Sequence, residues 1–157
     1  MLKVVLVRPE IPWNTGNVGR TCAAAGAELH LVGPLGFSLS ERRLRRAGLD
    51  YWENLAPVVH ESLAAFLERL PSDADVLAFS AEGARTHWEA AYGADSWLVF
   101  GGESAGLPPE LRARWAERLY RIPMAAGARS LNLSTAAAVA LYEALGPRSH
   151  AGLGRLP

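Results

Sequence analysis

The hydrophobic positions of this chain fall into two kinds of segment that take turns along it. Short apolar runs recur at Lys3–Arg8, Val76–Ser80 and Trp97–Gly101, and Leu29–Gly33 and Arg118–Ile122 read as two further strands. Runs of this length without polar alternation predict strands buried on both faces. The intervening segments carry helical signals. Glu61–Leu70 sets Leu63, Phe66, Leu67 and Leu70 on one stripe of a helix. Asn14-Thr15-Gly16-Asn17 reads as a turn and cap before a helix reaching Ala25, which Gly26 ends. Ser40–Ala47 predicts a short capped helix, followed by an irregular stretch to Pro57. Pro108–Trp115 is a helix with Pro in its first turn. Strands alternating with helices predict an α/β fold: a mostly parallel sheet with helices on both faces. One domain spans the chain, and from Gly146 to Pro157 it is a Pro/Gly-rich tail.

The last helical segment stands out. From Thr135 to Leu145 its only charged residue is Glu143, so the helix must bury more than one side. A second copy of the chain is one way to cover it, and the protein's own core is another. Just before it lie a loop of small residues, Ala125-Ala126-Gly127-Ala128, and a polar cluster, Arg129-Ser130-Leu131-Asn132-Leu133-Ser134. One of the two serines is expected to cap the helix.

Composition narrows the function. The 157 residues suit one core, and half of them are hydrophobic. Formal net charge is zero, so any nucleic-acid surface has to be a local patch. Arg42, Arg43, Arg45 and Arg46 supply one, readable as a solvated face or as a phosphate-binding surface. Cys22, in an apolar run, reads as a buried inert thiol. The four His are scattered without ligand spacing, so no metal is expected. No leader peptide or membrane span is evident, and the protein is expected in the cytoplasm.

Three loops that follow strands would share one edge of such a sheet, where α/β proteins bind ligands. Phe100-Gly-Gly-Glu-Ser-Ala-Gly-Leu-Pro108 lets backbone groups approach a ligand, though alone it reads equally as a tight strand-to-helix turn. It lacks the Gly-Lys-Ser/Thr ending of a phosphate loop and is no dinucleotide fingerprint, and the absence of Gly-x-Gly-x-x-Gly after the first strand argues against a nucleotide-binding oxidoreductase. Asn14-Thr-Gly-Asn-Val-Gly-Arg20 puts Asn17 and Arg20 on one helical face. The third loop is Pro123–Ser134.

Taken together and in this order, the loops resemble the motifs of the SPOUT (trefoil-knot) methyltransferases, in particular the small tRNA 2′-O-methyltransferases of the wobble-nucleotide group. The segment Arg43–Tyr51 is similar to that subgroup as well. The chain departs from the pattern at Trp13, Gly102 and Ala105, where a small residue or Pro, a Pro and an Arg are expected. The resemblance implies a C-terminal knot, with the chain after Tyr120 threaded through an earlier loop. It implies S-adenosylmethionine as cofactor, touched by Phe79, Gly101, Ile122 and Ser130. It also implies a homodimer and the tRNA anticodon stem-loop as partner, met by the Arg42–Arg46 patch and by Tyr142.

The implied reaction is attack of the wobble ribose 2′-hydroxyl, on C or a modified U at position 34, on the sulfonium methyl group. In the family scheme Arg20 activates that hydroxyl. A guanidinium releases its proton only above about pH 12, so a charge-assisted donor to the developing alkoxide or a neighbouring phosphate is the better reading. Asn17, Glu103 and Asn132 would position the reactants, Glu103 by holding either Arg20 or a ligand hydroxyl. The alternatives are a non-catalytic RNA-binding module on the same fold and a 2′-O-methyltransferase of another RNA site.

Overall fold

The computed structural model describes residues 1–37 and 55–146. The expected helix at Ser40–Ala47 and the basic patch Arg42–Arg46 lie outside the described residues. Among those described, seven strands form one sheet. They are β1 (Lys3–Val7), β2 (Glu28–Val32), β3 (Val58–His60), β4 (Val76–Phe79), β5 (Arg85–Thr86), β6 (Trp97–Gly101) and β7 (Leu119–Arg121). Their spatial order is β3-β2-β1-β6-β4-β7-β5, and every pairing is parallel.

The continuous apolar runs are explained by burial on both faces. In β1, Val4 and Leu6 point to one core and Val5 and Val7 to the other. The first core is closed by α1 (Pro12–Ala25) and α4 (Leu133–Leu145), through Val18, Cys22, Ala137 and Leu141. The second is closed by α2 (Leu63–Arg69) and α3 (Pro109–Arg114), through Phe66 and Leu111, with Leu107 from the loop before α3. Burying each such Leu or Phe contributes about 1.5–3 kcal/mol.

Several local expectations are corrected. Asn14-Thr15-Gly16-Asn17 is not a turn: α1 begins at Pro12 and runs through it. Gly16 and Gly19 each cost a helix roughly 0.5–1 kcal/mol relative to Ala, but both are buried along with Thr15 and Val18, and packing against α4 overrides propensity. The cap of α4 is Asn132, not a serine; its side chain accepts from the Ser134 and Thr135 N–H groups. Strands β3 and β5 carry no clear signal in the sequence. On α4, Val139 and Tyr142 are exposed in the single chain.

Strands β4 and β5 flank β7 on opposite sides, so the intervening residues 80–84 cross β7. The approach is close: a Cβ on Gly83 would lie 2.4 Å from the Tyr120 carbonyl carbon. Arg121 fastens the crossing by donating from its guanidinium to the Gly83 and Ala84 carbonyls at 2.7 and 2.6 Å.

Candidate active site

Parallel strands bring the loops after β1, β4, β6 and β7 to one edge of the sheet. They enclose a cavity of about 550 Å³, within the usual range for small-molecule and cofactor sites. Its floor is an aromatic pair, Phe79 on β4 and Phe100 on β6, stacked at 4.8 Å and 11°. Ile122, Leu107 and Leu133 add apolar wall. Phe79, Gly101, Ile122 and Ser130, the four residues expected at the cofactor, all line it.

Gly101 has no room for a side chain. A Cβ there would sit 1.9 Å from the Gly106 carbonyl carbon, because the loop folds back on itself. Gly106 N–H donates to the Gly102 carbonyl at 2.9 Å, and Gly106 has φ +65°, a left-handed conformation that favours glycine. Gly102, where the resemblance leads one to expect Pro, is also packed tightly: its Cβ would lie 2.4 Å from the Arg8 carbonyl oxygen. An adenosyl group needs a flat apolar slot beside backbone hydrogen-bonding groups. The Phe79–Phe100 floor next to loops of small residues fits that need.

The polar groups form a network joining three loops. Glu103 accepts the backbone N–H groups of Glu10 at 2.7 Å and Ile11 at 3.2 Å, and the Asn14 amide at 3.0 Å. Its carboxylate thus stands at the positive end of α1, whose N-cap, Ile11, has no side-chain cap of its own. Asn14, 7% exposed, accepts in turn from the Asn132 amide at 2.9 Å. Asn132 Oδ1 meanwhile caps α4, accepting from Ser134 N–H at 2.9 Å. A second clasp runs the other way. Glu10 accepts the Ser104 N–H at 3.0 Å and its hydroxyl at 2.6 Å. The Ser104 hydroxyl, then its N–H, hold the Glu10 carboxyl below the ordinary carboxylate value.

The expected positioning residues therefore divide. Glu103 and Asn132 line the cavity. Asn17 and Arg20 are exposed on α1 and are not among the residues that line the cavity, and Tyr142 is exposed on α4. The sequence reading missed Asn14, Glu10 and Ser104. It named Arg129 in the polar cluster but gave it no role, and this guanidinium lines the cavity. Placing the helix start at Pro12, from the preference of Pro for the first turn, would have turned attention to Asn14.

Outside this site, Cys22 is buried and its thiol is pushed up to about 12 by that burial, the inert group expected. Two of the scattered His come together: His30 Nδ1 and His60 Nε2 are 3.0 Å apart, in adjacent strands beneath Phe66 and Trp97. Among the described residues no group of three or more His, Cys, Asp or Glu could hold a metal ion. No described helix is long and apolar enough to cross a membrane.

Comparison with known proteins adds three findings. A sequence model of the SpoU rRNA methylase family matches residues 1–142. The chain is 49% identical over 146 residues to the tRNA (cytidine(34)-2′-O)-methyltransferase of Burkholderia pseudomallei, covering 92% of this chain and 94% of that one. It is 48% identical over 149 residues to the enzyme of the same name from Yersinia pestis, covering 92% of each. Among solved structures, one concerned with 2-OH methylation of C/U34 on tRNA superposes with TM-score 0.87 at 52% identity, covering 97% of this chain and 92% of that one. The SpoU methyltransferase AviRb of Streptomyces viridochromogenes, in complex with AdoMet, superposes with TM-score 0.82 at 26% identity, covering 99% of this chain and 59% of that one.

Proposed function

The chain belongs to the SpoU rRNA methylase family, and from that premise we propose that it methylates the ribose 2′-hydroxyl of the wobble nucleotide, C34 or U34, of tRNA. The observation that carries the reading is the cavity, where Phe79, Gly101, Ile122 and Ser130 meet Glu103 and Asn132 at the ends of β4, β6 and β7. Near-half identity to named tRNA (cytidine(34)-2′-O)-methyltransferases over almost their full length selects the substrate class.

S-adenosylmethionine, when bound, supplies an electrophilic methyl group. Phe79 and Phe100 would hold its adenine against the floor, and Gly101, Ile122 and Ser130 would frame it. The chain's own work is to fix the loops and orient the hydroxyl, since in-line transfer depends on geometry held to about an ångström. Glu103, Asn14 and Asn132 do this by tying the starts of α1 and α4 to the Gly-rich loop. These are charge-assisted or part-buried bonds, the stronger kinds. Arg20 and Asn17 are exposed on α1, which supports phosphate contact better than contact with the reacting oxygen. Arg129 is the guanidinium suited to the developing charge inside the cavity.

The same reading includes a trefoil knot, a homodimer and a second RNA contact at Arg42, Arg43, Arg45 and Arg46. The crossing of residues 80–84 over β7 supports the knot. The exposed apolar positions Val139 and Tyr142 on α4 support a second copy packed there.

The test is methyl transfer from labelled S-adenosylmethionine to tRNA lacking wobble methylation, with the product mapped by nucleotide. Label on the position-34 ribose is expected. Label on another nucleotide would keep the chemistry and reject the substrate. No label together with no cofactor binding would leave a non-catalytic RNA-binding module.

A further inference from the structure

We propose that Trp13 is a stacking platform for an unpaired nucleobase beside the target ribose, an inference that rests on the functional reading above. Trp13 is 62% exposed in the first turn of α1. It is not a stray surface aromatic. Asn14, the next residue, lines the cavity and bonds Glu103 and Asn132. Ile11 and Leu131, 41% and 38% exposed, also belong to the cavity wall, so apolar surface continues from the wall toward the helix start.

The rest of α1 indicates what kind of partner lies there. Trp13, Asn17, Arg20 and Ala24 are exposed and spaced i, i+4, i+7 and i+11, which makes one stripe along the helix. That stripe offers an indole face, an amide and a guanidinium in order away from the cavity. Those are the groups that single-stranded RNA takes: an aromatic plane for a base, then hydrogen bonds and positive charge for the backbone. Pro12–Ala25 carries no acidic residue, and the two carboxylates at its start are engaged, Glu103 by the Glu10 and Ile11 N–H groups and Glu10 by Ser104. Any partner on this stripe must desolvate the Asn17 amide and the Arg20 charge, and a phosphate backbone compensates the charge. Because every base has a π-face, stacking on Trp13 strengthens binding without choosing between C34 and U34.

The experiment measures tRNA affinity and steady-state methylation for the wild type, Trp13→Ala, Trp13→Leu and Trp13→Phe, with subunit association followed by sedimentation. Trp13→Ala is expected to weaken tRNA binding about 5- to 140-fold, the range for loss of one stacked base. The factor should be the same for C34 and U34 substrates, with cofactor affinity and kcat retained. Trp13→Leu keeps the apolar bulk but not the plane and should behave like Ala, whereas Trp13→Phe should restore most of the affinity. Wild-type affinity in Trp13→Ala, full rescue by Leu, or dissociation of subunits in place of lost tRNA binding would overturn the proposal. If the wild type labels another nucleotide, or none, the functional reading fails first and takes this inference with it.

Discussion

Two polar clusters among the described residues, one at the cavity and one inside the core, are kept in place by opposite means. At the cavity, Glu10, Glu103 and Asn132 are open to solvent in whole or part, Asn14 is buried beside them, and all four spend their hydrogen bonds on loop backbone and on each other. Under β2 and β3, His30 and His60 are buried, stacked on one another at 5.3 Å, and His60 Nδ1 has no partner. Burial is the first cause that holds both imidazoles below their ordinary value, helped at His60 by the neighbouring His30 and Arg69. The first cluster uses polarity to fix where loops sit. The second tolerates polarity inside a core, and its signature is a dependence of stability on pH.

Substitutions can break that contrast, beginning where the effect is largest. Gly101→Ala forces the loop open, since its Cβ would meet backbone at 1.9 Å. Methyl transfer should fall by about 100-fold or more, and calorimetry should show cofactor binding lost with it. Asn14→Ala unhooks Glu103 from Asn132 and strands part-buried groups, at a cost of about 1–3 kcal/mol. The single-turnover rate should fall roughly 10- to 100-fold, while Trp13-dependent tRNA binding survives.

The His pair should answer to pH instead. The folded chain keeps both rings neutral, whereas the unfolded chain takes up protons near pH 6.5. Stability is therefore full above about pH 6.5 and declines as pH falls toward the lowered folded values. Melting curves at pH 7.5 and pH 5 should show a loss of a few degrees, at roughly 2–4 °C per kcal/mol for a chain of this size. His60→Gln should flatten that slope and leave the rate at pH 7.5 unchanged. The smallest effect belongs to the exposed Glu10–Ser104 clasp. With its carboxyl held below 4.5, Glu10 keeps the clasp at neutral pH and loses it only as pH drops below that value. Ser104→Ala should leave melting at pH 7.5 nearly unchanged and raise the Glu10 pKa, as carbon-detected NMR titration would report.

Much of this could be read from the sequence, because strands buried on both faces write themselves as unbroken apolar runs. The cavity residues Phe79, Gly101, Ile122 and Ser130 were expected through the family resemblance, whose motifs place them at the ends of such runs and in the loops after them. Asn14 was not. Asn, Thr and Gly together signal a turn, and only the packing of α1 against α4 makes helix of them. Asn17 drew attention in its place, one turn along and on the exposed side. The His30–His60 contact was unreadable for another reason: it depends on β2 lying beside β3, and β3 is three residues long. The Glu10–Ser104 clasp, between residues 94 apart, likewise exists only once β1 and β6 are neighbours.

The most direct test of the account is one single-turnover assay of wild type and Asn14→Ala side by side, with labelled S-adenosylmethionine, unmodified tRNA and nucleotide mapping. The account predicts label on the ribose of nucleotide 34 for both proteins, arriving at least about 10-fold more slowly in the variant. Label at another nucleotide, or equal rates for the two proteins, would contradict it.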